Sequence, residues 1–235
     1  MNYSNEDLIK IYNEHKDRLI KDKKFLLPVE LEGCYYEVDE CGDVIFCGFD
    51  VDSIYYKNYM THDFNGLVLT IPNYFDKISR LVFDKYAYRN FKNSNSYEAL
   101  NNHSNVLGTR RLVLGDKVRV LLPYSFASSD IDYIDLCKVE EICEHCFEYS
   151  LLKEIKSDYV VKVGYSSFMD CLDLVSIEFP KLDYLDDIFA INDSKSSRLL
   201  MFESLTLGCD LKDVENDYLV KVPNLEKLIS VNIDD

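Results

Sequence analysis

Three phenylalanines, Phe126, Phe147 and Phe168, stand 21 residues apart, each preceded by a small residue: Ser125, Cys146 and Ser167. Ile131, Ile134, Leu136, Val139 and Ile142 follow the first, and Leu152, Ile155, Ser157, Val160 and Val163 follow the second at the same offsets. After the third come Leu174, Ile177, Phe179, Leu182 and Leu185, each displaced by one. A unit of this length cannot close a core alone, so a chain that repeats it must stack each unit on its neighbours.

Each unit carries an L-x-x-L-x-L core: Ile131-x-x-Ile134-x-Leu136, Leu152-x-x-Ile155-x-Ser157 and Leu174-x-x-Ile177-x-Phe179. Its last two core positions flank a polar residue, as a short strand with one buried face requires. Period and core are those of a leucine-rich solenoid. More specific are the small-residue–Phe pair, Cys171 three residues after Phe168, Phe179-Pro180 at the end of a strand, and Gly164 after Val163. On these residues the chain resembles the BspA-like leucine-rich repeats; Ser129 and Ser150 stand where the third unit has Cys171. The resemblance implies a non-enzymatic binding protein.

The expected fold class is α+β: a leucine-rich-repeat solenoid of about five to six coils with an N-terminal helix-plus-hairpin cap. The cap is placed at residues 1–75 and the solenoid at 76–235, clearest over 112–185 and interrupted near 186–198. Leu8, Ile11 or Tyr12, His15 and Leu19 share one face of a helix over 4–22. Cys34–Val38 and Val44–Cys47 flank a hairpin turn containing Gly42, and 67–71 reads as a strand ended by Pro72. Ile78-x-x-Leu81-x-Phe83 is read as a first, degenerate strand core, Phe202-x-x-Leu205-x-Leu207 as a later one, and Leu228-x-x-Val231-x-Ile233 as the last.

The net charge of −16 disfavours non-specific binding to nucleic acid or an anionic membrane, and it favours a basic protein partner. Residues 1–25 are charged and lack an apolar signal core, and eight scattered cysteines do not make a disulfide scaffold. The expected location is therefore cytoplasmic, with reduced thiols. Cys143-Glu144-His145-Cys146 has half of a zinc-site spacing, but no second CxxC follows, and the repeat accounts for both cysteines. No nucleophile–base motif and no phosphate-cradling glycine loop is present, so neither enzyme activity nor a cofactor or metal is expected.

What remains is the outward side of the strands. Tyr133, Asp135, Glu154, Lys156, Ser176, Glu178, Ser204 and Thr206 are the expected partner-binding residues, continued by Arg111 and Val113 before them and by Ser230 and Asn232 after. Tyr133 is the aromatic anchor of this row. Two functions fit: a protein–protein interaction module working through the concave sheet or the cap, or an acidic antagonist that blocks a basic nucleic-acid-binding enzyme by charge mimicry.

Overall fold

A strand of three residues with a buried centre and two exposed flanks gains little alone; it persists because its neighbours continue both its hydrogen bonds and its buried row. The computed structural model describes residues 34–49, 59–63, 66–80, 82–83, 110–182, 184, 187–189, 201–208 and 224–230. Among them are β1 (Cys34–Val38), β2 (Val44–Phe49), β3 (Met60–Asp63), β4 (Gly66–Thr70), β5 (Lys77–Ile78), β6 (Arg111–Val113) and β7 (Val120–Leu121). There follow β8 (Tyr133–Asp135), β9 (Glu141–Ile142), β10 (Glu154–Lys156), β11 (Lys162–Val163), β12 (Ser176–Phe179), β13 (Ser204–Leu207) and β14 (Lys227–Ser230). No α-helix occurs among the described residues, and the helix expected over 4–22 lies outside them.

From β4 to β11 each unit gives one strand to each of two ladders; among the described residues β12, β13 and β14 belong to one ladder only. One sheet runs β1-β2-β5-β7-β9-β11; the other ladder comprises two sheets, β3-β4-β6-β8 and β10-β12-β13-β14. Apart from the antiparallel pairs β1–β2 and β3–β4, all pairings are parallel. Between β8 and β10 the bridging bonds lie just ahead of the strands: Leu151 N donates to Ser129 O at 3.3 Å, and Lys153 N to Asp132 O at 3.4 Å. The turn segments make a third ladder. Phe126 N donates to Cys146 O and Phe147 N to Ser167 O, both at 2.8 Å, and Phe168 N to Ile188 O at 2.9 Å.

Between the ladders the core is filled by the repeat's apolar positions, and the phenylalanines stack through it. Ring centroids are 4.8 Å apart for Phe83–Phe126, 5.2 Å for Phe126–Phe147 and 5.5 Å for Phe147–Phe168, with the planes within 14° of parallel. Free aromatic pairs favour offset or edge-on contact. Here each ring is tied to a backbone that advances by about the ~4.8 Å spacing of neighbouring strands, and this enforces the parallel stack. Ser125, Cys146 and Ser167, before the last three rings, are buried against the neighbouring backbone. Ser125 Oγ donates to Ile78 O and Leu122 O, and Ser167 Oγ to Cys143 O and Gly164 O.

Two register expectations are corrected. Ile78 does not open a strand core: it ends β5 and pairs with Leu121, while Phe83 takes the stacked position and the matching core strand is β4, with Leu69 opposite Leu112. At the other end Leu228 pairs with Leu205, so the core is Leu225-x-x-Leu228-x-Ser230, three residues earlier than expected. Lys227 and Ile229 thus occupy the outward row assigned to Ser230 and Asn232. The hairpin agrees with expectation, with Gly42 at φ 86° in its turn. Because β2 pairs with β5 and β4 with β6, both ladders run through residue 75 without a break.

Candidate interaction face

The outward rows are set by the same alternation that buries the core. In β8 and β10 the central Ile134 and Ile155 are buried, so Tyr133 and Asp135, and Glu154 and Lys156, are exposed. Pairing then aligns the rows. Arg111 lies opposite Tyr133 and Val113 opposite Asp135; Glu154 lies opposite Ser176, which faces Ser204, and Lys156 opposite Glu178, which faces Thr206. Tyr133 and Asp135 thus lie on the outward row of one sheet and the other six expected residues on that of the next, which Lys227 and Ile229 extend.

Tyr133 is 40% exposed, and the Arg111 guanidinium lies 4.7 Å from its ring centroid, so the anchor is held between a cation and solvent. Asp135 Oδ1 accepts from Cys137 N at 2.9 Å, which fixes that carboxylate over the turn where Cys137 takes φ 49°. Arg111, Lys156 and Lys227 on this face are offset by Asp135, Glu154 and Glu178. The face is thus electrically balanced within a chain of charge −16.

The CxxC segment is built otherwise. Cys146 is wholly buried in the Ser125/Ser167 position, and burial raises its thiol pKa well above the ordinary value. Burial, then the nearby Glu141 carboxylate, pushes the half-buried Cys143 thiol up to about 11. A thiol held protonated at neutral pH is a poor nucleophile and a poor metal ligand. Among the described residues no three metal-ligating side chains converge.

Sequence reasoning missed a second row, on the turn edge. Tyr124 and His145 stack with centroids 4.7 Å apart and planes 2° from parallel, and Tyr165 meets His145 edge-on at 5.9 Å. His145 Nδ1 lies 2.9 Å from Glu148 Oε2, and the Arg80 guanidinium is 5.7 Å from the Tyr124 ring centroid. Tyr124 and His145 do share the 21-residue offset. The unlike residue types, and Tyr165 one place out of step, hid the row.

A family model for the BspA type leucine rich repeat region (6 copies) matches residues 76–195, about half of the chain. No curated protein matches the sequence. Among solved structures, a Treponema pallidum leucine rich repeat protein is 15% identical with a TM-score of 0.44, over 77% of this chain and 71% of that one. A Bacteroides ovatus leucine-rich repeat protein is 15% identical with a TM-score of 0.40, over 78% of this chain but 47% of its own length. A leucine rich cell surface protein from Faecalibacterium prausnitzii is 9% identical with a TM-score of 0.31, over 89% and 77%. With its six-copy repeat model spanning the units whose register is described above, the chain belongs to the BspA-type leucine-rich-repeat family.

Proposed function

We propose that this chain is a non-enzymatic protein–protein interaction module that binds a protein partner through the outward face of β6, β8, β10, β12 and β13. The observation that supports this reading is the register, which aligns Tyr133 and Asp135 with the outward row of β6, and Glu154, Lys156, Ser176, Glu178, Ser204 and Thr206 along β10, β12 and β13, the two sheets adjoining where the segments before β8 and β10 hydrogen-bond. An aromatic anchor within a charged, hydrated rim is the composition of a specific interface, and about 800 Å² per partner is the usual requirement. In this reading the units wind as a solenoid of five to six coils, capped by residues 1–75 and working in the cytoplasm. The chain's −16 charge attracts a basic partner at long range, and the balanced face provides the docking contacts. That balance weighs against charge mimicry through this face. The test is affinity capture with the wild type beside an Asp135→Lys, Glu154→Lys, Glu178→Lys variant, followed by titration of whatever the wild type retains at stoichiometry. Loss of that partner with the fold intact is the expected result; unchanged affinity would sink the strand-face reading.

A further inference from the structure

A surface separate from the strand face carries chemistry of its own: the turn-edge row Arg80, Tyr124, His145, Tyr165. Its backbone is fixed by the turn ladder. Tyr124 and His145 both lie in the left-handed region, at φ 62° and 55°, and both hydrogen-bond onward: Tyr124 N to Glu144 O at 3.3 Å, His145 N to Tyr165 O at 3.0 Å. Gly164 lets these units approach, because a Cβ there would fall 2.6 Å from Glu144 N. The rings are thereby held in place before any ligand arrives, and this lowers the ordering cost of binding.

Carboxylates accompany the rings. Glu148 holds His145 from one side, and both Glu148 and Glu144 act electrostatically on the Tyr124 hydroxyl. Glu144 is exposed and has no cation at ion-pair distance among the described residues, since the nearby Lys162 is taken by Glu141. Tyr165, at the end of the row, is 49% exposed. One guanidinium already uses the row: Arg80 lies over Tyr124.

From the half-exposed Tyr165 ring at the end of the row, a carboxylate with no ion-pair partner among the described residues and that internal precedent, we infer that the turn edge at Tyr165, beside the Tyr124–His145 stack and with Glu144, is a docking surface for an arginine-bearing segment of a partner protein. A planar guanidinium stacks on an aromatic face while its N–H groups reach a carboxylate, and a lysine ammonium does the first of these less well. Against the single Arg80 the row sets two carboxylates, Glu144 and Glu148, a small acidic excess that the balanced strand face lacks. This surface does not depend on the strand-face reading, and either can fail alone.

The experiment is fluorescence anisotropy on the full chain with two labelled probes of equal length and charge, an Arg-Ser alternating peptide and its Lys-Ser counterpart. The arginine peptide is expected to bind several-fold more tightly. Tyr165→Ala and, independently, Glu144→Gln should each weaken it by about threefold or more, while the strand-face triple variant retains the preference for arginine. Both altered side chains are exposed, and circular dichroism checks that the variants fold. Equal binding of the two probes, unaffected by Tyr165→Ala, would reduce the effect to general attraction by an acidic chain and overturn the inference. A preference abolished only by the strand-face variant would overturn it as well, moving the arginine contact to Tyr133.

Discussion

Two residues of every clear unit lie in the left-handed region without being glycine: Tyr124 and Ser128, His145 and Tyr149, Ser166 and Asp170. Such a conformation costs an L-residue on the order of 1 kcal/mol. The turn ladder compensates, because Ser128 N, Tyr149 N and Ser166 N each donate to the next unit's backbone. At Ser166 the hydroxyl is also buried without a hydrogen-bond partner among the described residues. Ser166→Gly should therefore raise stability by about 1 kcal/mol: relief of strain and of the buried hydroxyl exceeds the entropy that glycine adds to the unfolded chain. Ser167→Gly, one residue on, should lower it, because that hydroxyl bonds to two carbonyls. Urea denaturation of the pair reads the contrast, and equal effects would mean that the strain is absent. Phe147 lies wholly buried between two parallel rings, so Phe147→Ala should cost about 3–5 kcal/mol. Its hydrogen-exchange protection should fall first in the flanking units that hold Phe126 and Phe168, and last in the β1–β2 hairpin.

That hairpin is fastened to the repeats by charge. Lys77 Nζ lies 2.6 Å from Asp39 Oδ2 and 2.9 Å from Asp43 Oδ2 in its turn, and the Asp76 carboxylate accepts from Val44 N at 2.8 Å. Burial pulls the Asp39 carboxyl upward, but the Lys77 hydrogen bond and charge and the turn N–H groups outweigh it, leaving the pKa below the ordinary value. The Lys77 ammonium pKa is raised by the hydrogen bonds it donates to Asp39 and Asp43. A depressed carboxylate contributes stability above its unfolded pKa, about 3.9, and loses it as pH falls through the folded value; a raised lysine contributes below about 10.4 and loses it as pH climbs past the folded value. The clamp therefore holds between about pH 4 and pH 10. Lys77→Met should cost on the order of 1 kcal/mol at neutral pH and remove part of the acid sensitivity, so the gap between variant and wild type should narrow as pH falls below the unfolded carboxylate value of about 3.9. Denaturation midpoints followed from pH 7 downward check this, and a gap of constant width throughout would assign Lys77 a packing role instead.

Why some registers were legible and others not follows from the same elements. Units between 112 and 185 keep a nearly constant length, so Phe126, Phe147 and Phe168 announce themselves, and the outward residues of β8, β10 and β12 follow from alternation alone. Phe83 and Phe126 stack as neighbours although 43 residues apart, and the extra chain, about one period, removed the spacing that would have aligned them. At β14 both Leu225-x-x-Leu228 and Leu228-x-x-Val231 satisfy the pattern, and only pairing with β13 chooses between them. The turn-edge row was illegible for a different reason: left-handed tyrosine and histidine carry no propensity signal, and stacking tolerates a change of ring.

At the scale of the whole molecule the unusual quantity is the excess of 42 acidic over 26 basic residues. Ion pairs such as Lys77–Asp39 and Lys162–Glu141 stabilise locally and weaken with salt, whereas repulsion among the surplus acids opposes the compact state and is relieved by salt. Exposed pairs contribute about 1 kcal/mol or less each, and the surplus acts over every unit, so repulsion should win. Raising sodium chloride from about 0.05 to 0.5 M, which shortens the screening length from more than ~10 Å to about 4 Å, should raise the melting temperature. A fall would mean that the pairs dominate. The strand-face triple variant sharpens the point: three reversals of two charges each take the chain from −16 to −10. The variant should gain less from salt than the wild type for that reason. At low salt it gains from reduced repulsion but loses locally, since Lys156 would then face a second lysine at position 178. If its salt response matched the wild type's, the acidity that governs stability would lie elsewhere than in summed long-range repulsion, and the screened interactions would have to be sought pair by pair.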